Sequence, residues 1–317
     1  MAFFKIIFLI FYLIFFIMFP DAAKTATYEA SNLFFKLIMP SFIPMYLISN
    51  LLLNYPSIFK VFRKLFFFMP FKSDDACGIF LIGLLAETPT TAILIKRNFL
   101  NNRISQSEAS QLILFSGMMS PLFIIMSGRL VGFNTFEVGS VILSIILSSM
   151  IIGSILLRKS EKDFFVNNTK RTNPNFFLIL DDAPKILLNI LLVIITIMLI
   201  KTPFNLFQDK IPLFIKILIN TLEVTTGVSD LKSFSINPFS KLLIFTFLIC
   251  FSGIAIIIES IYGVLKLKKE QTFDNGNQII CSNLNFLSIN KFVIFRLILA
   301  ILATFICFVI NCFKFFF

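Results

Sequence analysis

Three acidic residues lie inside strongly apolar segments: Glu87 in GLLAETPTTA, Glu223 in NTLEVTTG and Glu259 in IIIESIYG. An ionised carboxylate at bilayer depth costs about 2.5 to 3.5 kcal/mol even on the gentler insertion scale, so each needs a partner, a proton or a water-filled cavity. Glu87 and Glu223 also stand beside threonines and next to a residue that interrupts helices, Pro89 or Gly227. This placement favours a central cavity in which Glu87 and Glu223 face each other and bind a polar solute or couple it to a cation.

The threonines near these acids, and the serines of a third polar patch, FSGMMSPLF, supply hydroxyl groups for the same cavity. This patch either allows close helix packing or forms a kinked and partly unwound pore lining. The candidate solute or ion ligands are Glu87, Thr88, Thr90, Thr91, Ser116, Ser120, Glu223, Thr225 and Thr226. The expected gate or helix-break positions are Pro40, Pro44, Pro89, Pro121, Pro212 and Gly227.

Each charged residue also has a simpler interpretation. Glu223 would cap the end of a short segment at the membrane surface, and Glu259 would extend its carboxylate toward the interface. Lys36, Lys216 and Arg296 fall within apolar segments, where they either extend toward the headgroups or act as counter-charges. The sequence leaves these alternatives open.

The composition defines the class of protein that carries these residues. Hydrophobic side chains make up 57% of the 317 residues and charged ones 14%, against about 25% charged in soluble chains. The chain has no histidine, and its five cysteines form no C-x-x-C pair, so neither imidazole catalysis nor a redox or metal site is expected. No nucleotide-binding or zinc-protease motif is present either, so we expect no enzyme and no cofactor. The net charge of +11 fits cytoplasmic loops and lipid headgroups better than nucleic acid.

The apolar segments predict an all-α, polytopic transmembrane bundle with seven spans and two re-entrant or broken helices. The first span could also be a signal peptide, and an interfacial helix is expected within 55–75. Nine full crossings are the alternative, but treating two segments as re-entrant gives a modest excess of cytoplasmic Lys and Arg. The predicted spans are 2–20, 77–95, 111–128, 136–157, 186–200, 241–265 and 291–312, and the re-entrant segments are 32–53 and 211–228.

An internal repeat is expected from two pairs of similar segments. PSFIPMYLISNLL from Pro40 resembles PLFIKILINTLEV from Pro212, and IGLLAETPTTAIL in the first half pairs with ICFSGIAIIIESI in the second. Paired halves with interrupted helices are typical of transporters whose substrate site lies at the repeat interface. The predicted organisation is a first membrane repeat at 1–158, a polar cytoplasmic connection at 159–183 and a second membrane repeat at 184–317.

The order of motifs resembles a known family. The segments MFPDAAKTATYEASNLFFKLIMPSFIPMYLISNLLL, ISQSEASQLILFSGMMSPLFI, LEVTTG and FSGIAIIIES resemble the sporulation integral membrane proteins of the YlbJ type, within the group carrying the nucleoside-recognition or Gate domain. The resemblance implies a multi-pass protein of the bacterial cell (inner) membrane with a role in sporulation.

Taken together, the sequence predicts a permease-like transporter or channel for a small polar solute, nucleoside-like or anionic. The expected partners are the lipid bilayer, the solute, a coupling cation and a second copy of the chain, without nucleic acid. The alternative is a non-transporting membrane scaffold for assembly of the spore envelope, and a membrane-embedded enzyme ranks third because no nucleophile or metal cluster stands out.

Overall fold

The fold is a bundle of α-helices. The structure, a computed structural model, describes residues 2–52, 55–65, 73–86, 88–101, 103–158, 176–206, 211–256 and 289–314, and these ranges contain helices and turns but no strand. The helices are α1 (Ala2–Met18), α2 (Pro20–Leu33), α3 (Met39–Leu52), α4 (Pro56–Leu65), α5 (Asp74–Leu85), α6 (Thr88–Leu100), α7 (Gln106–Phe115), α8 (Pro121–Val131), α9 (Thr135–Arg158), α10 (Phe176–Leu206), α11 (Leu213–Asn220), α12 (Val224–Leu231), α13 (Pro238–Phe251) and α14 (Ile289–Lys314).

Five helical stretches in the described ranges are long and apolar enough to cross a bilayer. A span needs about 20 predominantly apolar residues at 1.5 Å rise per residue, and these stretches have 19 to 33. They are Pro20–Leu52, Thr135–Ile155, Ala183–Leu206, Pro238–Ile256 and Asn290–Phe313. The chain is therefore a membrane-embedded, all-α protein, as the composition predicted.

One predicted re-entrant segment is wrong. Residues 32–53 do not turn back at Pro40 and Pro44, because α2 and α3 join through a π-helical turn, Phe34–Ile38, into a single stretch that ends at Leu52. Met39 N donates to Phe34 O, a bond one residue longer than in an α-helix. Pro40 follows directly, at the point where its missing N–H is least disruptive, and Pro44 lies inside α3.

Two predicted spans are instead broken helices. Segment 77–95 consists of α5 and α6, and Ala86 after α5 has an extended backbone (φ −107°, ψ 153°). A Cβ built on Gly83 would lie 3.2 Å from Thr91 Cγ2, so the chain bends sharply between the two helices. Segment 111–128 consists of α7 and α8, with a non-helical stretch at 116–120 between them.

The second half repeats this arrangement. Helices α11 and α12 are also short and separated by a break at 221–223, so segment 211–228 is a broken helix as predicted. Helix α13 is interrupted at Ser252 and Gly253, which both have positive φ (68° and 80°). Residues 253–256 then resume a helical conformation, and 257–265 lie outside the described residues.

The positions of the breaks reveal a repeat in a different register from the predicted one. LILFSG at 112–117 matches LICFSG at 248–253, and Glu87-x-x-Thr90 matches Glu223-x-x-Thr226, both at an offset of 136 positions (251 − 115 and 223 − 87). Pro40 and Pro212 do not correspond, because Pro40 lies in a long helix whereas Pro212 begins a short one.

The core is built around α14, which packs against both α9 and α13. Asn311 Nδ2 on α14 donates to Ser140 Oγ on α9 at 3.0 Å, and Thr246 Oγ1 on α13 donates to Cys307 Sγ on α14 at 3.4 Å. Helices α2 and α3 pack against α10, while α12 contacts α2, α8, α11 and α13. Helix α12 is therefore packed against elements from both halves of the sequence.

The segments that flank this core are α1, α4 and the connection before α10. Helix α1 docks on α10 through Tyr12, whose hydroxyl donates to Ile200 O at 2.8 Å. Helix α4 is short and polar on one side, and packs against α5, as expected for an interfacial helix. The predicted connection at 159–183 ends earlier, because α10 begins at Phe176, and residues 159–175 lie outside the described residues.

Candidate functional site at the helix breaks

The two broken helices of the second half meet at their breaks. Ile254 N donates to Thr221 O and Ala255 N donates to Leu222 O, both at 3.0 Å. A Cβ built on Gly253 would lie 3.2 Å from Glu223 Cα, so only glycine allows the two backbones to approach this closely. Each break therefore satisfies backbone groups that the other leaves free, which is the condition for irregular backbone at membrane depth.

Arg296 on α14 joins this break to the corresponding break of the first half. Its side chain is fully buried (0% exposed), and Nη2 donates to Gly117 O and to Ser252 Oγ. Gly117 and Ser252 belong to the two FSG sequences of the repeat. We call Arg296, Gly117 and Ser252 the guanidinium site.

The guanidinium is only partly satisfied. Among the described residues, its Nε and Nη1 atoms have no hydrogen-bond partner, and no carboxylate lies within 4.0 Å of its nitrogens. A buried charge without a partner costs several kcal/mol after relaxation, which is a large fraction of the stability of a domain. A group of opposite charge that bound here would offset this cost and use the donors that remain.

Three of the predicted site residues lie close to Gly117 in the break between α7 and α8. Ser116 ends α7 and donates to Ile113 O at 2.7 Å, while Ser120 begins α8 as its N-cap and accepts from Phe123 N at 3.1 Å. Pro121 is the first residue of α8. A Cβ on Gly117 would lie 2.8 Å from Arg296 Nη2, so the absence of a side chain at this position admits the guanidinium.

Two predicted hydroxyls at the start of α6 lack partners. Thr90 and Thr91 are buried, and their Oγ1 atoms make no hydrogen bond to any residue that the structure describes. A buried hydroxyl without a partner costs about 1 to 3 kcal/mol, so these two groups are available to a ligand. Thr91 also borders this break, because the Cβ position of Gly83 lies 3.7 Å from both Thr91 Oγ1 and Phe115 O.

Four of the predicted residues cannot be placed in full. Glu87 and Glu259 lie outside the described residues, and so do the side chains of Thr88 and Pro89. The expected meeting of Glu87 and Glu223 in one cavity therefore stays a prediction. The backbone places Thr88 at the start of α6.

Glu223 forms the N-cap of α12. Its carboxylate accepts from Thr225 N at 2.7 Å and from Thr226 N at 2.6 Å, and the residue is 2% exposed. Negative charge at this position satisfies two free N–H groups and interacts favourably with the helix dipole. The carboxylate is thus held inside the protein, at the break beside Gly253, rather than at an exposed helix end.

The other expected break positions differ in their roles. Pro212 is the N-cap of α11, whereas Gly227 lies inside α12 rather than at its end. A Cβ on Gly227 would lie 2.5 Å from Asn220 O, so this glycine is needed for the close bend between α11 and α12. The prediction of a helix break at Gly227 itself is wrong.

A second buried cation holds this bend. Lys201 on α10 is 1% exposed, and its Nζ donates at 3.0 Å to Asn220 Oδ1, Thr226 Oγ1 and Asp230 Oδ2. We call Lys201, Asn220, Thr226 and Asp230 the lysine site. Little in the sequence indicates this site, because Lys201 follows the apolar run 186–200 directly and resembles a residue that flanks a span.

The lysine site borders a cleft between α1, α2, α10 and α12. The cleft has a volume of about 710 Å³, and Asp230, whose side chain is 31% exposed, forms part of its wall. The wall also includes Asp21, Glu29, Thr202 and Ser229. The Asp230 carboxylate is therefore accessible from this cleft.

One further buried acid has a structural role. Glu108 is 1% exposed and forms a capping box with Ser105 at the start of α7. It also accepts from Ser73 N at 3.0 Å and so ties the start of α5 to that of α7. The S-x-x-E sequence is the usual signature of such a box and identifies Glu108 as a structural acid.

No cluster of three or more metal-ligating side chains occurs in the part of the chain that the structure describes. No family model, curated protein or solved structure matches the chain. The two buried cations and the helix breaks are therefore the features of the chain that indicate its function.

Proposed function

We propose that the protein is a permease-like transporter of a small anionic solute, which binds at the guanidinium site. The observation that carries the proposal is the fully buried Arg296, placed between corresponding helix breaks of the two halves with two nitrogen atoms that no described residue partners. Ionisable groups inside a membrane usually mark substrate or ion pathways, and broken helices at a repeat interface are a recurrent place for them.

Guanidinium groups favour planar anions such as carboxylates and phosphates, because their N–H donors match two oxygens at once. Nε and Nη1 of Arg296 have no partner in the described ranges, while Nη2 donates to Gly117 O and Ser252 Oγ. The unpartnered hydroxyls of Thr90 and Thr91 would bind further polar groups of the solute. These donors favour an anionic solute over an uncharged nucleoside.

The proposal is tested by thermal unfolding of the purified protein in lipid nanodiscs with a panel of small anions. The panel contains acetate, succinate, phosphate and uridine monophosphate, with uridine as the uncharged counterpart. We expect at least one anion to raise the melting temperature of the wild type and to lose this effect in Arg296→Gln. Arg129→Gln, at an exposed arginine of α8, is the matched control and should respond as the wild type does.

The same experiment separates binding from structural support. If Arg296 serves binding, Arg296→Gln without solute melts at or above the melting temperature of the wild type, because the variant no longer buries an unpaired charge. A large loss of stability in Arg296→Gln, with no response of the wild type to any anion, contradicts the proposal. That result favours the scaffold function, in which Arg296 only fastens the breaks together.

The relationship to the YlbJ-type family, a role in sporulation and a location in the bacterial cell membrane stay predictions from the sequence, as do the homo-oligomer and the coupling cation.

A further inference from the structure

The lysine site has the ligand geometry of a cation site. Three oxygens of different chemical types surround Lys201 Nζ at 3.0 Å: the amide of Asn220, the hydroxyl of Thr226 and the carboxylate of Asp230. An ammonium group has three N–H donors, so each donor has one acceptor. Amide, hydroxyl and carboxylate oxygens are also the ligands that alkali cations accept in proteins.

All three oxygens come from the broken helix, whereas the cation comes from another element. Asn220 is the last residue of α11, and Thr226 and Asp230 lie on α12, while Lys201 lies on α10. The broken helix thus forms a three-oxygen cage with one negative charge, and α10 fills it from outside. The Thr226 hydroxyl is oriented for this role, because it also donates to Glu223 O at 3.2 Å.

The cage lies beside a route from water. Asp230 lines the cleft together with Thr202 and Ser229, and its side chain is 31% exposed, against 1% for the side chain of Lys201. A small cation that entered the cleft would therefore reach the Asp230 carboxylate, and it would reach the other two oxygens if the lysine side chain were absent.

The repeat shows that this cage belongs to the second half alone. At the offset of 136 positions, Thr226 corresponds to Thr90, whereas Asn220 and Asp230 correspond to Leu84 and Leu94. The first half has kept the hydroxyl without the amide, the carboxylate or the lysine, and the Thr90 hydroxyl is unpartnered. The cation cage is therefore a specialised feature of α11–α12 and not a general requirement of the repeated fold.

We propose that Asn220, Thr226 and Asp230 form a monovalent-cation site that the protein fills with the ammonium group of its own Lys201. The wild-type protein then needs neither Na⁺ nor K⁺ to close the α11–α12 bend. This inference goes beyond the proposed function, because it concerns the ion of the second half rather than the solute, and its test does not depend on transport.

The test is the thermal unfolding of Lys201→Ala in nanodiscs in chloride salts of ammonium, potassium, sodium and choline at equal ionic strength. We expect ammonium to raise the melting temperature of Lys201→Ala above its value in choline by about 3 °C or more, with a smaller effect of potassium. The wild type should melt at the same temperature in all four salts. The double variant Lys201→Ala/Asp230→Asn should not respond, because its cage no longer carries a charge.

Each alternative outcome overturns the proposal. One is that Lys201→Ala has the same melting temperature in ammonium and in choline. Another is that ammonium raises the melting temperature of the wild type as much as that of Lys201→Ala. The third is that ammonium still raises the melting temperature of the double variant. If Lys201→Ala fails to fold even in ammonium while the double variant folds, the oxygens do not accept a free cation. Failure of both variants to fold means that the fold needs the lysine chain itself, which also contradicts a replaceable cation.

Discussion

At the scale of single residues, the buried charged groups differ in how many hydrogen bonds they make. Glu223 and Lys201 are fully bonded, the first to backbone N–H groups and the second to three oxygens. Arg296 is buried as deeply but keeps donors that have no partner in the part of the chain that the structure describes. A charge whose bonds are complete stabilises the fold, whereas an incomplete one at the same depth is retained for another purpose.

Glu223→Gln tests the capping role. A glutamine has one oxygen where the carboxylate has two, so one of the N–H groups of Thr225 and Thr226 loses its acceptor inside the protein. We expect a loss of about 1 to 3 kcal/mol, seen as a lower melting temperature. The control is Glu137→Gln in the capping box of α9, where the hydrogen bond from Asn134 N is exposed and glutamine is tolerated. Equal melting of the two variants would show that Glu223 is not a stabilising cap.

The sequence identified the acids better than it identified their roles. Glu223 was predicted at a helix interruption, which is where it lies, but whether it binds solute or caps a helix depends on atoms two and three residues away. Arg296 could not be separated from a snorkelling arginine, because this distinction depends on which face of α14 packs inward. Lys201 was missed because the residues it bonds, Asn220 and Asp230, are distant in sequence and become neighbours only through the bend.

At the scale of helices, the main features are the breaks and the glycines that allow them. Helices α5, α6, α11 and α12 have 8 to 13 residues each, which at 1.5 Å per residue is too short to cross a bilayer. Short helices are stable here because the break of α11–α12 bonds the break of α13. Prolines do not mark the helix breaks reliably, since Pro44 lies within a helix while the break at Ser252 contains no proline.

Gly227→Ala tests the bend between α11 and α12. The added methyl group would lie 2.5 Å from Asn220 O, so the helices must separate, and we expect a loss of about 1 to 3 kcal/mol. The control is Gly139→Ala on α9, where no atom lies within 4 Å of the new Cβ and the change should be neutral or stabilising. Melting temperatures of both variants in nanodiscs provide the measurement, and a neutral Gly227→Ala would contradict the described bend.

The similarity of the apolar segments and the match at an offset of 136 positions place the internal repeat in different registers. Apolar residues are interchangeable on a lipid-facing surface, so matches between apolar segments such as those at Pro40 and Pro212 carry little information. The polar positions carry the register, because a glutamate, a serine or a glycine at membrane depth has a specific neighbour to meet. FSG and E-x-x-T at an offset of 136 positions locate the breaks in both halves.

At the scale of the whole molecule, the two halves have similar breaks but different chemistry. The guanidinium site lies where both halves meet, whereas the lysine site belongs to the second half and borders its own cleft. The proposed account assigns the solute to the first site and a built-in cation to the second. It predicts a transporter of anions whose activity is the same in sodium, potassium and choline salts.

The most direct measurement is the uptake of a radiolabelled anion, chosen as the one that most stabilises the wild type, into liposomes that contain purified protein. The account predicts saturable uptake by the wild type and by Arg129→Gln, and a loss of at least about tenfold in Arg296→Gln, which corresponds to removing one charged contact of about 1.4 kcal/mol. Arg296→Lys should retain more uptake than Arg296→Gln, because it keeps the positive charge. Uptake by a correctly folded Arg296→Gln at the wild-type rate would contradict the account.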